Sequence, residues 1–183
     1  MRLTPAPLEG LWEIETTPLS DERGRFTRLF CAQEFSVVRP DIRFVQTNHS
    51  VTRHRGTVRG LHFQHLPASE AKLVRCIRGA VFDVAVDLRR KSPTFGKWHA
   101  AELSAENERQ LFIPEGFAHG FQSLADDTEL LYQHTVPYTP NCEGGLLYCD
   151  PSIAIEWPLS VTTVSERDAR LPYLGFVIAG IAA

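Results

Sequence analysis

The chain has 183 residues, 43% hydrophobic and 22% charged, with a formal net charge of −3. That balance fits one soluble globular domain and offers no bulk positive charge to a nucleic-acid backbone or an anionic membrane surface. The four cysteines, Cys31, Cys76, Cys142 and Cys149, form neither a CxxC pair nor a zinc spacing, so they read as reduced thiols of a cytoplasmic protein.

The opening MRLTPAPLEG holds no apolar run of signal-peptide length. Period-two alternation predicts strands over 24–30, 43–51, 57–64, 72–78, 80–89, 98–103, 110–113, 119–124 and 130–136. Helical spacing is scarce: a short helix over 32–38, a helical turn over 104–109 capped by Ser104, and another over 165–170 capped by Ser165. The closing apolar extension, 175–183, falls far short of the roughly 20 residues that span a bilayer and is expected to pack on the protein or to fray. Short, frequent strands without intervening helices predict a single all-β domain over 1–183, a jelly-roll barrel or sandwich with a few short helices.

In the strand over 80–89, Phe82, Val84, Val86 and Leu88 share one face, and Asp83 and Asp87 the other. Neighbouring strands also place His, Lys, Arg and Gln at alternate positions, so the polar faces are expected to line a cavity. The densest polar cluster is Arg59-Gly60-Leu61-His62-Phe63-Gln64, followed by Lys72-Leu73-Val74-Arg75. Alternation turns Gly60, His62 and Gln64 one way and Leu61 and Phe63 the other. Local context alone leaves His62 open between a hydrogen-bonded structural histidine and a functional one.

Gly60, His62, Glu70, Gly79, Pro114, Gly116 and His119 together resemble the two motifs of the cupin superfamily. The second histidine of that pattern is Gln64 here, a poor ligand for a divalent metal, so no metal is expected. The order of further motifs narrows the resemblance. These are Asp21-x-Arg23-Gly24-x-Phe26, Gln46-x-Asn48-x-Ser50, Arg59-Gly60-x-His62-x-Gln64 and Lys72-Leu73-Val74-Arg75. They continue with Asp83-Val84-x-Val86-Asp87-x-Arg89, the run from Pro114 to Phe121, Tyr132, Tyr138, Glu143, Asp150-Pro151 and Ser165-Glu166-Arg167-Asp168. Over about residues 8–174 the chain resembles the dTDP-4-dehydrorhamnose 3,5-epimerase family.

The resemblance implies a cupin-type jelly roll, a nucleoside-diphosphate 4-keto-6-deoxyhexose as substrate, and no cofactor. The ketone itself acidifies the hydrogens on C3 and C5. It implies His62 as base, Asp168 as the acceptor that fixes the His62 tautomer, Lys72 as stabiliser of the enolate, and Tyr132 as the acid on the opposite face. Asp83, on a polar strand face, is a second candidate partner for His62. Substrate contacts carried over are Arg23, Phe26, Gln46, Asn48, Arg59, Lys72, His119, Tyr138, Glu143 and Arg167, with Arg23 and Arg59 as phosphate forks and Tyr138 stacking on the base. The family also implies a homodimer in which Arg23 and Phe26 complete the partner's site. Arg28 stands where the family often carries Glu, a reversal that bears on the choice of nucleotide. The alternatives are a single-centre epimerase, a 3,4-ketoisomerase, a metal-dependent cupin enzyme and a non-catalytic sugar-binding cupin.

Overall fold

A computed structural model gives the structure of the chain over residues 1–177. In chain order the strands are β1 (Arg2–Pro5), β2 (Trp12–Glu15), β3 (Leu19–Asp21), β4 (Gly24–Phe26), β5 (Gln46–Thr52), β6 (Val58–Gln64) and β7 (Lys72–Arg78). They continue with β8 (Ala80–Asp87), β9 (Trp98–Ser104), β10 (Gln110–Ile113), β11 (Phe117–Ser123), β12 (Thr128–His134) and β13 (Glu143–Gly145). The helices are α1 (Ala32–Phe35) and α2 (Leu174–Val177), with 3-10 turns at Pro140–Cys142 and Asp168–Arg170.

Two antiparallel sheets face each other, one in the order β1-β2-β10-β7-β12-β5 and the other β13-β6-β11-β8-β9, with β3 and β4 as a separate hairpin. The all-β, cupin-type jelly roll expected from the sequence is the fold found. Between the sheets, Val74, Cys76, Leu111, Ile113 and Leu130 from one meet Val81, Ala85, Leu103, Phe117 and Phe121 from the other. Burying one such side chain contributes about 1.5–3 kcal/mol. At the other end of the same space the inward side chains turn polar, and there the cavity opens.

Both outer faces are partly covered. Leu61, Phe63, Val84, Val86 and Leu88 pack beneath Leu146, Ile153 and Leu174, so the segment after β13 roofs the five-stranded sheet. Phe35 and Ile42 cover Ile14, Leu73 and Phe112 on the six-stranded sheet. Strand β8 is therefore buried on both sides. Its apolar face meets this roof, while Val81 and Ala85 share the inter-sheet side with Asp83.

Several local expectations need correction. The strand over 24–30 ends at Phe26, because the chain turns to anchor elsewhere: Thr27 Oγ1 donates to Glu108 and the Leu29 carbonyl accepts from Gln110. Residues 104–109 do make the expected single turn: the Glu108 N–H donates to the Ser104 carbonyl at 3.1 Å and Ser104 Oγ caps it, accepting the Asn107 N–H at 3.0 Å, while the Asn107 side chain takes the N–H groups of Ser104 and Arg109, so the turn does not continue into a helix. Ser165 does cap its turn, accepting the Asp168 N–H at 3.0 Å. Asp87 does not face the cavity; it is fully buried and bound to Arg89, Ser92 and Thr94. Of the apolar extension, Val177 is buried and Phe176 exposed, and 178–183 lie outside the described residues.

Candidate active site

The polar end of the inter-sheet space is a cavity of about 550 Å³, walled by β5, β6, β7, β11 and β12 and by the segment that carries Tyr138 and Glu143. Gln46, Asn48 and Ser50 come from alternate positions of β5, His62 and Gln64 from β6, Lys72 from β7, His119 from β11, and Tyr132 and His134 from β12. Period-two alternation thus delivers each strand's polar face to one space.

His62 is half-buried, and its Nε2 lies 2.8 Å from Asp168 Oδ1. The other carboxylate oxygen of Asp168 accepts the Gly60 N–H at 3.0 Å. Burial by itself would raise the Asp168 carboxyl. The hydrogen bonds from His62 and Gly60 and the charges of His62 and Arg167 outweigh it and bring it down to about 2. Asp168 is thus an anion and accepts, so His62 Nε2 carries the proton and donates. Gly60 lets β6 and β11 run close together beneath the site: its φ is +118°, and a Cβ there would lie 2.7 Å from Gly120 Cα and 2.8 Å from the His119 carbonyl oxygen.

Asp83, the other candidate partner of His62, is taken by His119. His119 Nε2 lies 3.0 Å from each Asp83 oxygen, and both residues are buried. The His119 ring meets Tyr132 edge to face at 5.9 Å. Tyr132 Oη is hydrogen-bonded to Ser50 Oγ at 3.1 Å. Burial pushes its phenol pKa well up, with the Ser50 hydrogen bond opposing, so the hydroxyl keeps its proton at neutral pH. Lys72 is buried with Nζ 3.2 Å from Glu70 Oε1 and 3.3 Å from the His62 carbonyl oxygen.

A chain of polar contacts forms the rim. Tyr138 Oη donates to Glu143 Oε2 at 3.1 Å, Arg167 Nη1 to Glu143 Oε1 at 3.0 Å, and Arg167 Nε to Asp168 Oδ1 at 3.4 Å. Arg59 lines the cavity from β6. The structure therefore gathers His62, Lys72, Tyr132, Asp168, Gln46, Asn48, Arg59, His119, Tyr138, Glu143 and Arg167 in or around one site.

Arg23 and Phe26 are not brought there within this chain. They sit on the exposed β3–β4 hairpin, where Arg23 pairs with Asp21 and Phe26 is 72% exposed. Arg28 is likewise away from the cavity, paired with Glu34 at 2.6 Å.

The cupin metal pattern is filled differently here. Gln64 Nε2 donates to the Ala68 carbonyl at 3.0 Å and its Oε1 accepts the Thr139 N–H at 2.6 Å, so the amide ties down the loops. Among the described residues no three His, Cys, Asp or Glu side chains converge as a metal site needs. Sequence reading gave no site role to His134 and placed Glu70 only in the cupin pattern. The two meet here, with His134 Nδ1 2.8 Å from Glu70 Oε2.

Comparison with known proteins bears directly on this arrangement. A family model described as dTDP-4-dehydrorhamnose 3,5-epimerase matches residues 5–175. The chain belongs to the dTDP-4-dehydrorhamnose 3,5-epimerase family. It is 48% identical over 163 residues to the dTDP-4-dehydrorhamnose 3,5-epimerase of Salmonella typhimurium, covering 88% of each chain. It is 42% identical over 170 residues to a dTDP-4-dehydrorhamnose 3-epimerase of Streptomyces niveus, covering 92% of this chain and 81% of that one. Its structure superposes with a TM-score of 0.92 on the dTDP-6-deoxy-D-glucose-3,5-epimerase of Legionella pneumophila, solved in complex with dTDP-4-keto-L-rhamnose. That match has 40% identity and covers 97% of this chain and 95% of the other. The chain is thus an isomerase of the epimerase type, as its motif order implied.

Proposed function

We propose that the cavity inverts C3 and C5 of a dTDP-linked 4-keto-6-deoxyhexose, converting dTDP-4-dehydro-6-deoxyglucose to dTDP-4-dehydrorhamnose without a cofactor. The observation that carries this reading is the 2.8 Å pair of His62 and Asp168, set in a cavity that also holds Lys72 and Tyr132. Because Nε2 donates to Asp168, Nδ1 keeps the lone pair and is the nitrogen that takes the proton. The electrons of the broken C–H bond move to the C4 oxygen as an enolate, and the Lys72 ammonium stabilises that charge in surroundings largely closed to water. Tyr132 then gives its hydroxyl proton to the opposite face of the carbon, which inverts the centre; the tyrosinate recovers a proton from solvent and His62 Nδ1 releases to solvent the one it took. Repetition at the second carbon completes the reaction.

For the nucleotide half, Arg59 is the diphosphate cation within this chain, Gln46 and Asn48 supply paired amides, and Tyr138 stacks on the base, with Glu143, Arg167 and His119 as further contacts. Arg23 and Phe26 enter from a second copy in a homodimer. Two features support that assembly: the hairpin exposes Leu19 and Phe26, and the six-stranded sheet exposes Val51 and Ile77. The four unpaired cysteines suit a cytoplasmic setting. No helix among the described residues is long and apolar enough to cross a membrane.

A second reading, inversion at C3 alone, is favoured by the likeness to the Streptomyces niveus 3-epimerase. His62→Ala tests the base in either reading. It should abolish exchange of solvent deuterium into the sugar, and exchange at the wild-type rate would contradict the assignment.

A further inference from the structure

Glu70 lies in the loop between β6 and β7, and its side chain is only 8% exposed. Its carboxylate faces three donors: Lys72 Nζ at 3.2 Å, His134 Nδ1 at 2.8 Å and Gln64 Nε2 at 3.2 Å. Burial would raise the Glu70 carboxyl, but the His134 hydrogen bond and the Lys72 charge hold it below the ordinary glutamate value, so it is ionised. His134 uses its other ring nitrogen to accept from Asn48 Nδ2 at 3.3 Å. Its orientation is thereby fixed from both sides.

A lysine ammonium is a compact charge on a stem of four rotatable bonds, so its direction must be imposed from outside. Lys72 has two anchors, Glu70 Oε1 and the His62 carbonyl oxygen, which leave one N–H for the cavity. We infer that Glu70 is a positioning residue that aims the Lys72 ammonium at the enolate oxygen, and that His134 acts on the lysine only through Glu70. This rests on the enolate-stabilising role given to Lys72 above. Stabilisation of a developing charge depends on a donor already in place, and small misplacements of such a group are costly. Substrate affinity, which draws mainly on the nucleotide half, should be little touched.

The test is steady-state kinetics with dTDP-4-keto-6-deoxyglucose on the full chain, comparing Lys72→Ala, Glu70→Gln, His134→Ala and the double variant. Glu70→Gln keeps the shape and removes the charge; it should lower kcat about tenfold or more while KM changes less than about twofold. His134→Ala should lower kcat by a smaller factor, and that factor should vanish in the Glu70→Gln background. If Glu70→Gln fails to fold, Glu70→Asp, which draws the charge back by one methylene, carries the same expected split of kcat from KM. Wild-type kcat in the Glu70 variant beside a loss in Lys72→Ala overturns the inference alone, as does a His134→Ala loss that is equal in both backgrounds. Undiminished kcat in Lys72→Ala overturns the role of the lysine, and this inference with it.

Discussion

His62 and Asp168 stand 106 residues apart in the chain and meet at 2.8 Å. The 3-10 turn at Asp168–Arg170 brings the carboxylate back against β6, where it binds the imidazole with one oxygen and the Gly60 N–H with the other. One acid thus sets the tautomer of the His62 imidazole and anchors the strand that carries it.

Asp168→Asn should therefore cost far more than one hydrogen bond. The amide can donate to Nε2, which moves the imidazole proton to Nδ1 and removes the lone pair the chemistry needs. Deuterium exchange should slow by up to about 10⁴-fold, the cost of holding a catalytic imidazole in the wrong tautomer. Exchange within twofold of wild type would contradict the tautomer assignment.

The same carboxylate gives a pH signature in stability. Its folded pKa, about 2, lies below the ordinary aspartate value of 3.8, so its contribution is present above about pH 4 and is lost as the pH falls through 2. Urea midpoints measured between pH 4 and pH 2 should fall more steeply for the wild type than for Asp168→Asn.

Tyr132→Phe separates proton removal from proton return. With His62, Asp168 and Lys72 intact, C3 or C5 hydrogens should still exchange, but the proton returns from the face it left and the sugar emerges largely uninverted. Exchange and inversion reduced by the same factor would remove Tyr132 from the role of acid.

Gly60→Ala tests the backbone beneath the site. The residue is at positive φ and a Cβ there would lie 2.7 Å from Gly120 Cα, so a methyl group needs both strain and displacement of β11. A loss of about 2 kcal/mol or more in urea unfolding is expected. An unchanged midpoint would show that β6 and β11 can part freely.

The proposed homodimer yields a paired observation. Phe26→Asp places a charge on the exposed hairpin and should give a monomer by sedimentation with a raised KM. A wild-type chain that is monomeric and fully active at micromolar concentration would contradict the assembly.

What could be read from the sequence followed from alternation. Strands over 72–78 and 110–113 have the expected bounds, and the polar faces of five strands do line one cavity. Strands β1, β2, β3 and β13 escaped notice: the short N-terminal strands showed no sustained alternation, and the Glu-Gly-Gly of β13 becomes a strand only by pairing with the edge of β6. Asp168 carried no local sign beyond a carboxylate at a turn start, and only the motif order linked it to His62. The pairs of Glu70 with His134 and of His119 with Asp83 span 64 and 36 residues. No periodicity reports contacts of that range.

The central claim is that this cavity abstracts and returns protons beside the C4 ketone. Proton NMR of dTDP-4-keto-6-deoxyglucose with the enzyme in deuterated water tests it most directly. The C3 and C5 signals should both fade as deuterium enters, while resonances of the inverted sugar grow; loss at C3 alone would point to the single-centre reading. Retention of both signals through prolonged incubation with folded protein would contradict the account.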